Sequence, residues 1–64
     1  IKEEKMFEVN QIVKGKVAGC FVVLGFRTIG GEDYAQLKCV DPDDYTKTFP
    51  GELALPIGAL EEVA

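Results

Sequence analysis

Short apolar segments separated by Gly, Pro and Asp residues run along most of the chain, and helical periodicity is nearly absent. This pattern is typical of small all-β domains, in which short strands are joined by tight turns. It predicts about five antiparallel strands, over residues 11–18, 20–28, 34–40, 52–55 and 60–63. Residues 56–59 are too few for an α-helix and suit one 3₁₀ turn before the last strand. Residues 1–5 are predicted to form a flexible arm, and residues 41–51 a long loop.

The middle of the chain predicts a β-hairpin that turns at Gly30-Gly31, because paired glycines accept the positive φ angles of tight hairpin turns. With a two-residue turn, three apolar pairs face each other: Val22 with Cys39, Leu24 with Leu37, and Phe26 with Ala35. A four-residue turn would shift the pairing by two residues and keep the same side chains on the same face. That face is predicted to form the core.

The opposite face of the hairpin should be polar if it contacts only water. It is instead mixed, and four of its side chains are apolar or aromatic: Phe21, Val23, Tyr34 and Val40. Three explanations remain open. The N-terminal arm or the 41–51 loop covers this face, or the barrel curls so that both faces are partly buried, or the face binds a partner. We expect these four residues to form an interface through which the protein self-associates.

The length of the chain favours association. A domain of 64 residues buries only about 60% of the surface that its unfolded chain exposes. Small domains commonly gain further stability from a disulfide, a metal ion or a partner chain. The apolar fraction of 47% and the charged fraction of 28% are those of a globular protein, and we expect one domain over residues 1–64.

No metal ion and no cofactor are expected. The chain lacks histidine, the most common general base and metal ligand, and two cysteines cannot build a four-ligand zinc site. Asp41, Asp43 and Glu52 have the spacing of positions 1, 3 and 12 of a calcium loop, but Tyr45 and Thr46 replace a ligand and the required glycine. Catalysis within one protomer is not predicted, whereas an active site shared between protomers stays open.

The two cysteines are predicted to be reduced. Cys20 and Cys39 are diagonal neighbours on the predicted core face, near the upper limit of distance for a disulfide. The charged N-terminal residues do not resemble a secretion signal, and no apolar run is long enough to cross a bilayer. We therefore expect a cytoplasmic protein with two free thiols and no membrane contact.

Charge is distributed unevenly along the sequence. Residues 1–40 carry six basic and five acidic side chains, whereas residues 41–64 carry one basic and six acidic side chains. Contact with a nucleic acid or another anionic ligand would use the basic residues, because cations must displace counterions from phosphate. The candidates are Lys14, Lys16, Arg27 and Lys38. The acidic C-terminal third opposes this contact, so nucleic-acid binding is not favoured.

The pattern over most of the chain, four or five short strands with a long acidic loop and a 3₁₀ turn before the last strand, resembles an SH3-like small β-barrel. In that fold a strand, a single 3₁₀ turn containing proline and a last strand ending in aliphatic residues follow one another. The stretch from Leu53 to Val63 has this order. The resemblance implies a single SH3-like barrel.

Pro56-Ile57-Gly58-Ala59-Leu60-Glu61 is also similar to the Pro-aliphatic-small-Ala-Leu-Glu stretch of the plasmid-encoded type II dihydrofolate reductases. That family forms a tetramer around a pore lined by a Val-Gln-Ile-Tyr strand. Here Leu53 stands for the Gln and Leu55 for the Tyr, so the groups that hold folate and nicotinamide are missing. The resemblance implies the fold and self-association, and it argues against reductase activity.

Together these observations predict a small non-enzymatic binding or assembly module that forms a homo-oligomer, a dimer or larger. Three alternatives remain. The first is a subunit of a multimeric pore-type enzyme or ligand-binding protein related to the type II reductases. The second is a weak nucleic-acid-binding module, and the third is an adaptor for another protein.

Overall fold

The protein is built from antiparallel strands, and a computed structural model describes its residues 7–63. The elements in chain order are β1 (Ile12–Gly15), β2 (Cys20–Ile29), β3 (Glu32–Asp41), β4 (Asp44–Thr48), β5 (Leu53–Pro56), a 3₁₀ turn (Ile57–Ala59) and β6 (Leu60–Glu62). The all-β class and the 3₁₀ turn before the last strand are confirmed. The predicted arm over residues 1–5 lies outside the described residues.

The long strand β3 organises the sheet. Along the main path the strands are ordered β4-β3-β2-β1-β6, and β5 also pairs with β3. β5 pairs with the first half of β3, from Tyr34 to Leu37, whereas β4 pairs with its end at Val40 and Asp41. The 3₁₀ turn then connects β5, on one side of the sheet, to β6, on the other side. The chain thereby folds the sheet around one core.

The segment over residues 41–51 differs from the predicted long loop, because it contains β4. Asp41 pairs with Asp44 around a two-residue turn, and the Asp41 carboxylate accepts a hydrogen bond of 2.8 Å from the Asp43 N–H. Such a side-chain bond stabilises a turn locally. Beyond β4, the Phe49 N–H donates to the Cys39 carbonyl at 3.0 Å. Residues 7–63 therefore contain six strands.

The hairpin turn is the predicted one. Gly30 and Gly31 have φ angles of 58° and 83°, and Ile29 lies opposite Glu32. Both angles are in the left-handed region that glycine adopts without strain. The pairing predicted for this end of the hairpin is confirmed as well, with Phe26 opposite Ala35.

A β-bulge changes the pairing in the other half of the hairpin. Val23 lies opposite Leu37, but Gly25 lies opposite Gln36, so Leu24 is an extra residue in β2. All pairs beyond the bulge are shifted by one residue. The predicted pairs of Val22 with Cys39 and of Leu24 with Leu37 are therefore wrong.

The bulge also changes which side chains of the first part of β2 face the core. A one-residue shift turns each side chain to the other side of a sheet, so the residues before Leu24 have the opposite orientation from the predicted one. The predicted placement of Phe21 and Val23 on the face opposite the core is wrong: their side chains are 5% and 0% exposed. They belong to a buried cluster that also contains Phe7, Val13, Ala35, Leu37 and Leu60. Cys39, Leu53, Leu55 and Ile57 pack against this cluster and are partly buried.

The two leucines that were predicted to face each other should differ in their effect on stability. Leu37 is fully buried, so we expect Leu37→Ala to lower the free energy of unfolding by about 2–5 kcal/mol. Leu24 is 37% exposed, and Leu24→Ala should cost about 1 kcal/mol or less. Urea denaturation followed by circular dichroism measures both values. Equal losses in the two variants would contradict the position of the bulge.

Candidate binding surface

The structure leaves little of the predicted interface at the surface. Phe21, Val23 and Val40 are 5%, 0% and 3% exposed, so their side chains are buried within the protomer. Val40 lies outside the main buried cluster, and Tyr34 is half-buried. Any surface that binds a partner must therefore be sought elsewhere on the sheet.

The outer face is the side of the sheet opposite the core. Its members follow from the strand register and are Ile12, Lys14, Cys20, Val22, Leu24, Gly25, Arg27, Ile29, Glu32, Tyr34, Gln36 and Lys38. Ile12 lies directly opposite Val22 on this face, and Lys38 lies on the other side of Val22 in the same row. Arg27 and Tyr34, which could form a cation–π pair, lie directly opposite each other.

Three of the four candidate basic residues share the outer face but lie in different rows. Lys14 is opposite Cys20, Lys38 is opposite Val22, and Arg27 is five residues farther along β2, roughly 15 Å away at the rise of a strand. Lys14 also pairs with Glu61 of β6. The fourth, Lys16, follows the end of β1 and is exposed. Within the described residues these cations do not form one compact patch.

The cysteines are free thiols on opposite faces of the sheet. Cys39 lies opposite Phe21 and packs against the core, whereas Cys20 lies opposite Lys14 on the outer face. Their predicted position as diagonal neighbours on one face is wrong, and the bulge is the reason. The expectation that both are reduced agrees with this arrangement.

The acidic turn between β3 and β4 is stabilised by its own side chains. The Asp44 carboxylate accepts hydrogen bonds from the Thr46 hydroxyl at 2.6 Å and from the Thr46 N–H at 3.1 Å. These two bonds, the hydroxyl first, hold the pKa of Asp44 below its ordinary value. Asp44 is exposed, and no group of three acidic or cysteine side chains within residues 7–63 is arranged to hold a metal ion.

A turn before β1 hydrogen-bonds to the main chain of β2 at Val23. The Gln11 N–H donates to the Glu8 carbonyl at 3.0 Å, and Asn10 adopts a φ of 74°. The turn directs Phe7 into the core. It also completes the pairing at Val23, whose carbonyl accepts from the Asn10 N–H at 2.7 Å and whose N–H donates to the Gln11 carbonyl at 3.0 Å.

Beyond Val23, β2 has a side without a neighbouring strand. We call the segment Leu24–Ile29 the open edge, because among residues 7–63 it pairs with β3 on one side and with no strand on the other. Three of its side chains are apolar and exposed: Leu24 at 37%, Phe26 at 42% and Ile29 at 50%. An exposed strand edge of this kind is a template for pairing with another chain.

A pocket lies beside the open edge. It has a volume of about 240 Å³ and is lined by Phe26, Arg27, Thr28, Asp33 and Ile57. The Thr28 hydroxyl donates to the Asp33 carboxylate at 2.8 Å across the hairpin. Sequence reasoning did not identify this region, because Phe26 was expected to be fully covered by the core.

Comparison with protein-family models, with curated proteins and with solved structures finds no match to this chain. In the part of the chain that the structure describes, no helix has the length and apolar character to cross a membrane. Inference about function therefore rests on the sheet and its surfaces.

The positions of the cysteines predict that no intramolecular disulfide contributes to stability. Protein purified without reductant and then denatured should titrate as two free thiols per chain, and Cys20→Ser as one. The thermal unfolding midpoint should be the same with and without reductant. A wild-type count of zero thiols would contradict the placement of Cys20 and Cys39 on opposite faces.

Removal of the Thr46 hydroxyl should raise the pKa of Asp44 toward its ordinary value. A carboxyl whose pKa is lowered by folding stabilises the folded state above its unfolded pKa, and this contribution is lost as the pH falls through the folded pKa. In Thr46→Val the free energy of unfolding should therefore decrease less than in the wild type as the pH falls through the folded-state pKa of Asp44. NMR titration of the Asp44 carboxyl measures the shift directly. Thr48→Val is the matched control and should leave the pKa of Asp44 unchanged.

Proposed function

We propose that the protein is a small non-enzymatic binding or assembly module that self-associates, most simply as a homodimer. The observation that carries this proposal is the open edge of β2. Its main-chain groups have no neighbouring strand within residues 7–63, and it carries Leu24, Phe26 and Ile29 at the surface. The proposed surface is thus the open edge, and it replaces the interface that the sequence pattern suggested.

The size of the core supports association. Eight apolar residues are buried in the described part of the chain, and Leu37, Val13 and Val23 are the largest that are fully buried. A core of this extent gives a small domain a modest margin of stability. A partner that covered the exposed apolar side chains of the open edge would increase the buried apolar area. Few additional residues would have to become ordered, because the strand is already formed.

The resemblance to SH3-like barrels, which covers most of the chain in pattern, and the similarity of the C-terminal stretch to type II reductases remain part of the proposal. Leu53 and Leu55 stand where the reductases have their ligand-binding Gln and Tyr, and both pack against the core of this chain. This packing supports a non-enzymatic role. We also propose a cytoplasmic location, which the two free thiols support.

Self-association should be visible by sedimentation velocity across the micromolar concentration range. Phe26→Asp places a charge on the open edge, and we expect it to raise the dissociation constant at least about tenfold, because a buried charge without a partner opposes association. The circular dichroism spectrum should remain that of the wild type, since Phe26 is 42% exposed in the protomer.

The matched control is Val17→Asp. Val17 is 98% exposed in the turn between β1 and β2, and the same change of charge there should leave the dissociation constant unaltered. A wild-type protein that sediments as a monomer of 7.0 kDa at all concentrations would contradict the proposal.

A further inference from the structure

The direction of the main-chain groups on the open edge follows from the hairpin turn. In a two-residue hairpin the residues that flank the turn form a hydrogen-bonded pair, and bonding then alternates along the strand. Ile29 and Arg27 therefore bond to β3. The N–H and C=O groups of Thr28 and Phe26 point the other way, toward the open side. These four groups are the ones that an added strand would bind.

The open edge of a second copy can pair antiparallel with the open edge of the first in three registers. In each of them the outer faces of the two copies lie on the same side of the joined sheet. The two-fold axes of these registers pass through Phe26, Arg27 or Thr28. Because Leu24 is an extra residue in β2, the register centred on Phe26 would place Thr28 of the second copy opposite Val23. The main-chain groups of Val23 already bond to Asn10 and Gln11, so this register is blocked.

Charge distinguishes the two remaining registers. An axis at Arg27 places this residue directly opposite its own copy, and like charges directly opposite each other destabilise a strand pair. An axis at Thr28 instead places Arg27 opposite Ile29 of the second copy. In that copy the next residue across the sheet is Glu32, which pairs with Ile29 in the same row. Arg27 then reaches an opposite charge across one aliphatic side chain.

The other face of the hairpin also fits the axis at Thr28. Thr28 lies opposite Thr28 of the second copy, a pair that is favourable between antiparallel strands. Phe26 lies opposite Gly30 of the second copy. Apart from Gly30 and its two chain neighbours, no residue has an atom within 4 Å of the position that a Gly30 Cβ would occupy, so the aromatic ring has room there. The exposed ring of Phe26 is covered in both copies.

We propose that two copies of the chain pair antiparallel along their open edges about a two-fold axis at Thr28, with Arg27 of each copy in the same row as Glu32 of the other, across the side chain of Ile29. The inference rests on the proposed self-association and specifies its register. The sheet becomes continuous across the dimer in the order β3-β2-β2-β3. Because the interface is isologous, the interaction between Arg27 and Glu32 occurs twice.

Charge reversal tests this register. Arg27→Glu places two negative charges in the same row, across Ile29, at both ends of the interface, and Glu32→Arg places two positive charges there. Each single variant should raise the dissociation constant roughly tenfold, since the change acts at two symmetric places. The double variant, Arg27→Glu with Glu32→Arg, should return it to within about threefold of the wild type. Sedimentation velocity at low salt measures all four proteins.

Lys38→Glu is the control, because Lys38 lies on the outer face away from the open edge and carries the same charge as Arg27. It should leave the dissociation constant unchanged. Amide hydrogen exchange gives an independent measurement: the N–H groups of Thr28 and Phe26 should exchange slowly in the dimer and rapidly in Arg27→Glu.

The possible failures are distinct. A wild-type monomer overturns both the self-association and this register, and slow exchange at Thr28 in that monomer would place another segment of the same chain on the edge. A wild-type dimer that both single reversals leave intact overturns the register alone. A dimer that Arg27→Glu strengthens assigns the axis to Arg27 and also overturns this proposal.

Discussion

One extra residue in β2 determines which side chains the protein buries. The bulge at Leu24 lets Phe21 and Val23 join the core on one side of it, while Phe26 stays opposite Ala35 on the other side. Without this extra residue, the pairing set by the Gly30-Gly31 turn would continue unchanged along both strands. Phe21 and Val23 would then face outward. The composition of the core and the separation of the cysteines both depend on this single irregularity.

The sequence was informative where local chemistry specifies the backbone. Paired glycines identify the hairpin turn, because it requires positive φ angles that few other residues adopt. Pro56 identifies the start of the 3₁₀ turn, because its ring fixes φ, here at −61°. The pairing near the turn follows directly from the turn length. These features need no knowledge of the rest of the fold.

The bulge could not be predicted because the residues around it are nearly all apolar. From Cys20 to Phe26 the chain contains no polar side chain, so alternation does not indicate which side is buried. Strand β4 was not predicted from the sequence for the opposite reason. All five of its residues are exposed, and a strand without a buried face has no apolar periodicity. In both places packing with distant strands decides the structure, and a single sequence window does not contain that information.

The turn at Asn10 bears on how large an assembly can become. Because it occupies the main-chain groups of Val23, a strand added to the open edge cannot slide toward β1. An antiparallel pair of identical edges also consumes the same surface on both molecules, and the association closes at two copies. A strand edge that accepted neighbours at any offset would instead be a starting point for a growing fibre. In the proposed dimer the turn would thus keep the contact between two copies at a fixed size.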